Sequence, residues 1–145
     1  MELLQSLREV DGSVHMHFEL LDKTGIVASC YVDGWERPGA YLMRVHVEPS
    51  HRNQGLGTEL VKAVIRAAKA EGKTGIGLSV KPDNTYALFL YHRLGFVVHY
   101  QLDNRKGDYL MSLDLLGRVP AVVLEMEAAI QAALTVSSEP ARAVD

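Results

Sequence analysis

The apolar residues of this chain change period at one place, the turn Gly55-Leu56-Gly57. Before it they alternate. Val14, Met16, Phe18 and Leu20 are interleaved with His15, His17 and Glu19, which is the period of a half-buried strand. Residues 26–32 read as its partner across a hairpin turn at 22–25, and residues 41–47 as a third strand stopped by Pro49. After the turn the period is helical. Leu60, Val64 and Ala68, with Val61 and Ile65 beside them, form one stripe, and Glu59, Lys62, Arg66 and Lys69 fill the other face. A strand that feeds a helix through a glycine turn makes this an α/β chain.

The remaining elements follow from the same signals. Residues 2–9 are expected to form a short helix, with Leu3, Leu4 and Leu7 on one side and Asp11-Gly12 breaking it. Gly72 is placed as a helix C-cap. Residues 74–80 read as a buried strand, 85–94 as a second helix ended by Gly95, and 96–100 and 109–115 as a hairpin around the loop 101–108. Pro120 opens a last expected helix, 120–134, with the apolar stripe Val123, Met126, Ile130 and Leu134. Helices join the middle strands, so those strands are expected to be parallel, with antiparallel hairpins at both ends.

With 145 residues and 48% hydrophobic content, one compact domain is expected: residues 1–115, with 116–145 as its C-terminal helix and flexible tail. A formal charge of −3 lacks the basic footprint of a nucleic-acid binder. No apolar run approaches the roughly 18 residues of a membrane span, and the N-terminus lacks the apolar core of a signal peptide. The single Cys30 excludes an internal disulfide framework. These features lead us to expect a cytoplasmic protein that binds neither nucleic acid nor membrane.

A glycine turn that opens a helix is a ready anion site. The first N–H groups of the helix have no intrahelical partner, and glycine lets backbone approach the ligand closely. Spacing removes several candidates. A P-loop would need glycine at Ala67, before Gly72-Lys73-Thr74. A dinucleotide fingerprint would need glycine at Leu60. A nucleophile elbow would need glycine at Lys81. What remains is Arg52-Asn53-Gln54-Gly55-Leu56-Gly57 between a strand and a helix. It is either a pyrophosphate cradle with Arg52 as a cationic fork, or a loop that needs two glycines for its turn.

The second constellation is "NTYALFLYHRLGF", residues 84–96. Asn84 either caps the helix or meets a ligand. Tyr91 lies seven residues on, about two turns along the same face, with the small Ala87 between. It is either a core aromatic or a buried phenol able to give a proton. Cys30 lies mid-strand in an apolar run, where thiols are inert. His15 and His17 share a strand face, a pattern that can bind zinc but more often is a polar strand face; no metal is expected.

Arg-x-x-Gly-x-Gly at 52–57 followed by Asn-x-x-Ala-x-x-Leu-Tyr-x-x-Leu-Gly-Phe at 84–96 resembles the GNAT superfamily of acetyl-CoA-dependent N-acetyltransferases. The resemblance covers roughly residues 14–115. It implies a mixed, partly parallel central sheet flanked by helices, and acetyl-CoA as co-substrate. It also implies that Arg52, Asn53, Gln54, Gly55, Leu56, Gly57 and Thr58 line the CoA pyrophosphate. The strand ending Val45-His46-Val47 is implied to splay from 74–80 and pair with the pantetheine arm through the backbone at Val45 and Val47. Asn84 is implied to contact that arm, and Tyr91 to protonate the departing thiolate.

Acetyl transfer in a ternary complex asks for specific groups. An alkyl amine near pKa 10.4 is neutral to only about one part in 10³ at pH 7, a cost of roughly 4 kcal/mol, so a base must take its proton. Glu48 and His46, on one strand face at the end of the third strand, are the candidates, each either a base or a solvated side chain. A strand N–H near Val47 is the expected oxyanion donor. The acceptor is a primary amine of a small molecule or a protein, with Trp35 and Glu36 in the loop 33–39 and the loop 101–108 as expected walls. The alternative is a non-catalytic acyl-CoA-binding or sensor domain.

The chain departs from this resemblance at its ends. Family members carry a strand and one or two helices before the first hairpin, and these build much of the acceptor pocket. About a dozen residues precede Val14 here. The extra helix 120–134 is expected to use its stripe in a homodimer.

Overall fold

A computed structural model describes residues 1–102 and 107–117. The expected helix 120–134, the tail and the tip of the 101–108 loop lie outside the described residues. The elements are β1 (Glu2–Val10), β2 (Ser13–Asp22), β3 (Gly25–Asp33), β4 (Gly39–Val47), a 3₁₀ turn (Pro49–His51), α1 (Leu56–Ala70), β5 (Gly75–Val80), α2 (Thr85–Arg93), β6 (Val97–Gln101) and β7 (Tyr109–Asp114). The strands form one sheet in the order β1-β2-β3-β4-β5-β7-β6. Only β4 and β5 pair in parallel among neighbours; every other pairing is antiparallel. This is the mixed, partly parallel sheet flanked by helices that the sequence led us to expect.

The N-terminus is the main correction. Residues 2–9 are not a helix but most of β1, paired with β2 from Glu2↔Leu21 to Val10↔Ser13. The spacing of Leu3, Leu4 and Leu7 fits a helical side, but a short helix has little stability of its own. Asp11 and Gly12 decide the matter. Both have positive φ, 49° and 80°, the conformation of a tight type I′ hairpin turn whose twist matches paired strands. The pair that reads as a helix breaker is therefore a hairpin maker. β1 runs directly into β2, with no helix between them.

Both helices lie on one face of the sheet. The connections β4–α1–β5 and β5–α2–β6 step across the sheet in the same direction between parallel strands, and right-handed crossovers then place both helices together. Phe18, Val32, Ile76, Leu78 and Met111 of the strands are fully buried, and with Leu60, Val61 and Val64 of α1 and with Phe96 they belong to the core. Each such aliphatic side chain contributes about 1.5–3 kcal/mol by leaving water. Gly72, at φ 76°, follows the C-terminus of α1, the place its sequence position gave it.

The opposite face carries His15, His17, Tyr31, Asp33 and Tyr41, and no described helix covers it. His15, Tyr31 and His17 stack, with Tyr31 centroids 4.8 and 5.3 Å from the two imidazoles, and His15 Nε2 lies 3.2 Å from Asp33 Oδ1. Among the described residues no group of three or more His, Cys, Asp or Glu could hold a metal ion, and no helix is long and apolar enough to cross a membrane.

Trp35 corrects a second expectation. It is 8% exposed, packs edge-to-face on Phe18, and does meet a cation, but the chain's own. Lys73 Nζ lies 5.0 Å above its ring and donates to the carbonyls of Trp35 and Arg37, the latter at 2.7 Å. The indole anchors the 33–39 loop and is not available as an acceptor wall.

Candidate active site

The site begins where β4 and β5 part. Their pairing holds only at Gly39↔Gly75, Ala40↔Ile76 and Tyr41↔Gly77, although β4 runs on to Val47 and β5 to Val80. A bulge in β4 accompanies the divergence. On β3, Ser29 opposes His46 and Tyr31 opposes Met43, so Cys30 alone faces Arg44 and Val45. Arg44 takes φ 55°, uncommon for a side chain of its size and a mark of a built kink. The backbone of Leu42–Val47 on its β5 side is thus left open to a ligand strand. Nothing in the sequence marks this bulge, since no glycine stands there.

The loop after β4 closes the top of this wedge. Glu48 N donates to Val27 O at 2.8 Å, and Arg52 Nε to Val47 O at 2.9 Å. Arg52 therefore pins the loop to the strand end through Nε. His51 Nε2 lies 2.9 Å from Asp22 Oδ2 at the β2–β3 turn, a tie the sequence reading missed. Asp22 is held below the usual carboxylate range, chiefly by the two hydrogen bonds from Thr24 and then by His51. Asn53 (φ 65°) and Gly55 (φ 77°) turn the chain through left-handed conformations into α1. Gly55 is the N-cap, so no side chain caps the first amides of α1. That is the local requirement of an anion cradle.

Asn84 is an N-cap: its Oδ1 accepts from Ala87 N at 3.1 Å. The structural half of its two readings is thereby met, and the amide NH₂ is the end left for a ligand. Tyr91, on the same helix, is 6% exposed and packs edge-to-face on Phe96 at 5.7 Å. Burial raises its phenol well above the ordinary value, and the nearby Cys30 adds to the shift. Cys30, the residue of β3 opposite the bulge, is near enough to Tyr91 for its charge to act on the phenol. Cys30 itself is buried, and its thiol is pushed up to about 12, so it is no nucleophile.

His46 and Glu48 lie on the uncovered side. Their Nε2 and Oε1 are 3.6 Å apart and both side chains are about half exposed. The wedge thus has a buried phenol on the helix side and an imidazole–carboxylate pair on the bare side.

A cleft of about 320 Å³ opens between α1 and α2, lined by Thr58, Lys62, Tyr86, Phe89 and Arg93. The sequence reading missed all but Thr58. Lys62 stands four residues, one turn, beyond it, so the helical spacing carries the signal. A larger cavity, about 1070 Å³, lies at the other end of β4 and β5, over Gly39, Gly75 and Gly77, with Gly117 at its rim. It lies over the paired stretch of the two strands, Gly39–Tyr41 with Gly75–Gly77.

The sequence profile described as the Acetyltransferase (GNAT) family matches residues 7–96, more than half of the chain. The chain belongs to that family. Among GNAT relatives, N-alpha-acetyltransferase 40 of Saccharomyces cerevisiae is 34% identical over 86 residues, which cover 54% of this chain and 30% of the yeast protein. The ribosomal protein bS18-alanine N-acetyltransferase of Escherichia coli K12 is 29% identical over 85 residues, 59% of this chain and 57% of that protein. The solved E. coli ribosomal-protein-S18-alanine N-acetyltransferase superposes with a TM-score of 0.62 at 24% identity, covering 74% of this chain and 72% of its own. The PaiA N-acetyltransferase of Thermoplasma acidophilum, solved in complex with coenzyme A, gives 0.60 at 18% identity, covering 69% and 60%. These two structures carry the fold alone. The chain spans 30% to 57% of the length of those curated relatives.

Proposed function

We propose that this chain transfers the acetyl group of acetyl-CoA to a primary amine, on a small molecule or a protein, by direct attack in a ternary complex. One observation carries the reading: β4 and β5 part after three residue pairs, and the helix that follows β4 opens without a side-chain cap. In this reading the amides of residues 52–58 hold the pyrophosphate. The backbone at Val45 and Val47 pairs with the pantetheine arm, and the Asn84 NH₂ meets it. The thioester supplies an activated acyl carbon and a good leaving group.

The chain's residues supply the rest. The amine enters from the bare face, where His46 and Glu48 take its proton directly or through water. A β4 amide near Val47 donates to the developing oxyanion. Tyr91, kept protonated by burial, gives its proton to the thiolate on the helix side. Residues 1–115 act as one catalytic unit, and the buried reduced thiol of Cys30 fits a cytoplasmic setting.

A non-catalytic acyl-CoA-binding module is the second reading. What favours it is the half-exposed His46–Glu48 pair, which no described element buries. Free-thiol release from acetyl-CoA, measured across amines and peptide N-termini beside calorimetric binding, separates the two. Turnover that falls about 10²-fold in Tyr91→Phe with unchanged acetyl-CoA affinity supports catalysis. Equal turnover in that variant removes Tyr91 as the acid, and binding without turnover on every acceptor supports the module.

A further inference from the structure

β1 is an edge strand of nine residues, and among the described residues no strand pairs with its outer side. Such an edge presents a row of free backbone donors and acceptors, which proteins ordinarily blunt with lysine, proline, a bulge or shortness. β1 has no lysine, proline or bulge, its charges Glu2, Arg8 and Glu9 stand near its ends, and its pairing with β2 is unbroken. It exposes Leu3 (38%), Leu4 (44%), Leu7 (60%) and Val10 (42%).

The hairpin fixes which groups face outward. The Asp11-Gly12 turn closes on the pair Val10↔Ser13, so the even residues of β1 bond to β2. The odd residues Leu3, Gln5, Leu7 and Glu9 then direct their N–H and C=O to the open edge. An added antiparallel strand must pair with these.

We infer that β1 pairs with β1 of a second copy, antiparallel about Gln5, joining two sheets into one across a two-fold axis. The sequence of β1 is complementary to itself in that register. Leu3 faces Leu7 of the other copy, Gln5 faces Gln5, Leu4 faces Ser6, and Glu2 faces Arg8. The bonded pairs are the odd residues, as the edge demands. Opposite charges meet twice, and Arg8, which lies 3.5 Å from Glu19 and donates to Ser6 Oγ, gains a second carboxylate. A shift of the axis to Ser6 keeps the parity but sets Leu3 against Glu9. An isologous contact of this kind closes at two copies and leaves no further edge on that side. The homodimer expected from the stripe at 120–134 is thereby given a different surface.

The test uses the full chain. Light scattering reads a dimer mass, and Leu7→Lys, at a position already exposed, reads a monomer with unchanged circular dichroism. Val123→Lys with Ile130→Lys leaves the dimer intact. Because the native Cys30 is buried, a new surface thiol is read without interference. Gln5→Cys, on the axis, cross-links on mild oxidation. Val10→Cys does not, since its mate would lie ten residues, about 34 Å, along the paired strands. A monomer mass for the wild-type chain overturns the proposal. So does a dimer that survives Leu7→Lys, one lost in the 123/130 variant, or equal cross-linking at positions 5 and 10.

Discussion

At the scale of the residue, the turn into α1 rests on backbone conformations that side chains resist. Gly55 sits at φ 77° with open space where a Cβ would be, so an alanine there meets no clash, only the left-handed penalty. Gly55→Ala is expected to cost about 1–2 kcal/mol, read as a fall of several degrees in thermal melting, and to weaken acetyl-CoA binding as the first amides of α1 are re-aimed. His17 supplies a pH dependence. Burial first, then Arg8 and His15, lower its pKa below the ordinary 6.5, and its Nε2 is buried without a hydrogen-bond partner. The unfolded chain therefore takes up this proton more readily, and stability falls as pH drops below about 6.5. Urea midpoints at pH 7.5 and 5.5 should differ, and by less in His17→Gln. Gly55, Asn84 and Tyr91 were legible because each belongs to a spacing pattern. The Arg44 bulge and the His51–Asp22 tie were not, because each depends on a partner on another strand.

At the scale of the element, the α1–α2 cleft brings Thr58, in the first turn of α1, together with two aromatic and two cationic side chains, Tyr86, Phe89, Lys62 and Arg93. In the proposed reading it receives the nucleotide end of CoA, whose 3′-phosphate the two cations would meet. Lys62→Ala with Arg93→Ala should raise KM for acetyl-CoA about tenfold with kcat little changed, and should discriminate less against the dephospho form. An equal effect on both donors would remove the phosphate from this cleft. The helices themselves were legible because their stripes have the helical period. β1 was not. Leu3, Leu4 and Leu7 satisfy a helical pattern locally, while the strand exists because Asp11-Gly12 brings β2 alongside over nine residue pairs. Propensity lost to a long-range partner, the usual way a short pattern misleads.

At the scale of the whole molecule, the direct β1–β2 hairpin leaves one face of the sheet without a described helix. The parallel centre and antiparallel flanks were readable from where helices sit in the sequence. The order β5-β7-β6 was not, because a hairpin after a helix can be inserted either way round. Both helices share a face by the handedness of two crossovers, so the sheet divides the proposed chemistry. In that proposal the acid and the donor cradle lie toward the helices, and the base and the acceptor toward the bare side.

The short pairing of β4 with β5 has a consequence for how the protein would report its own occupancy. Three residue pairs hold the two strands, and beyond Tyr41 β4 has no pairing with β5 among the described residues. In hydrogen–deuterium exchange the 42–47 segment should label quickly in the free protein, though it lies at the middle of the sheet. Added CoA should slow it to the rate of a paired strand, and unchanged labelling with CoA bound would place the arm elsewhere. In the proposed reading, the sheet is complete only when the substrate is counted among its strands.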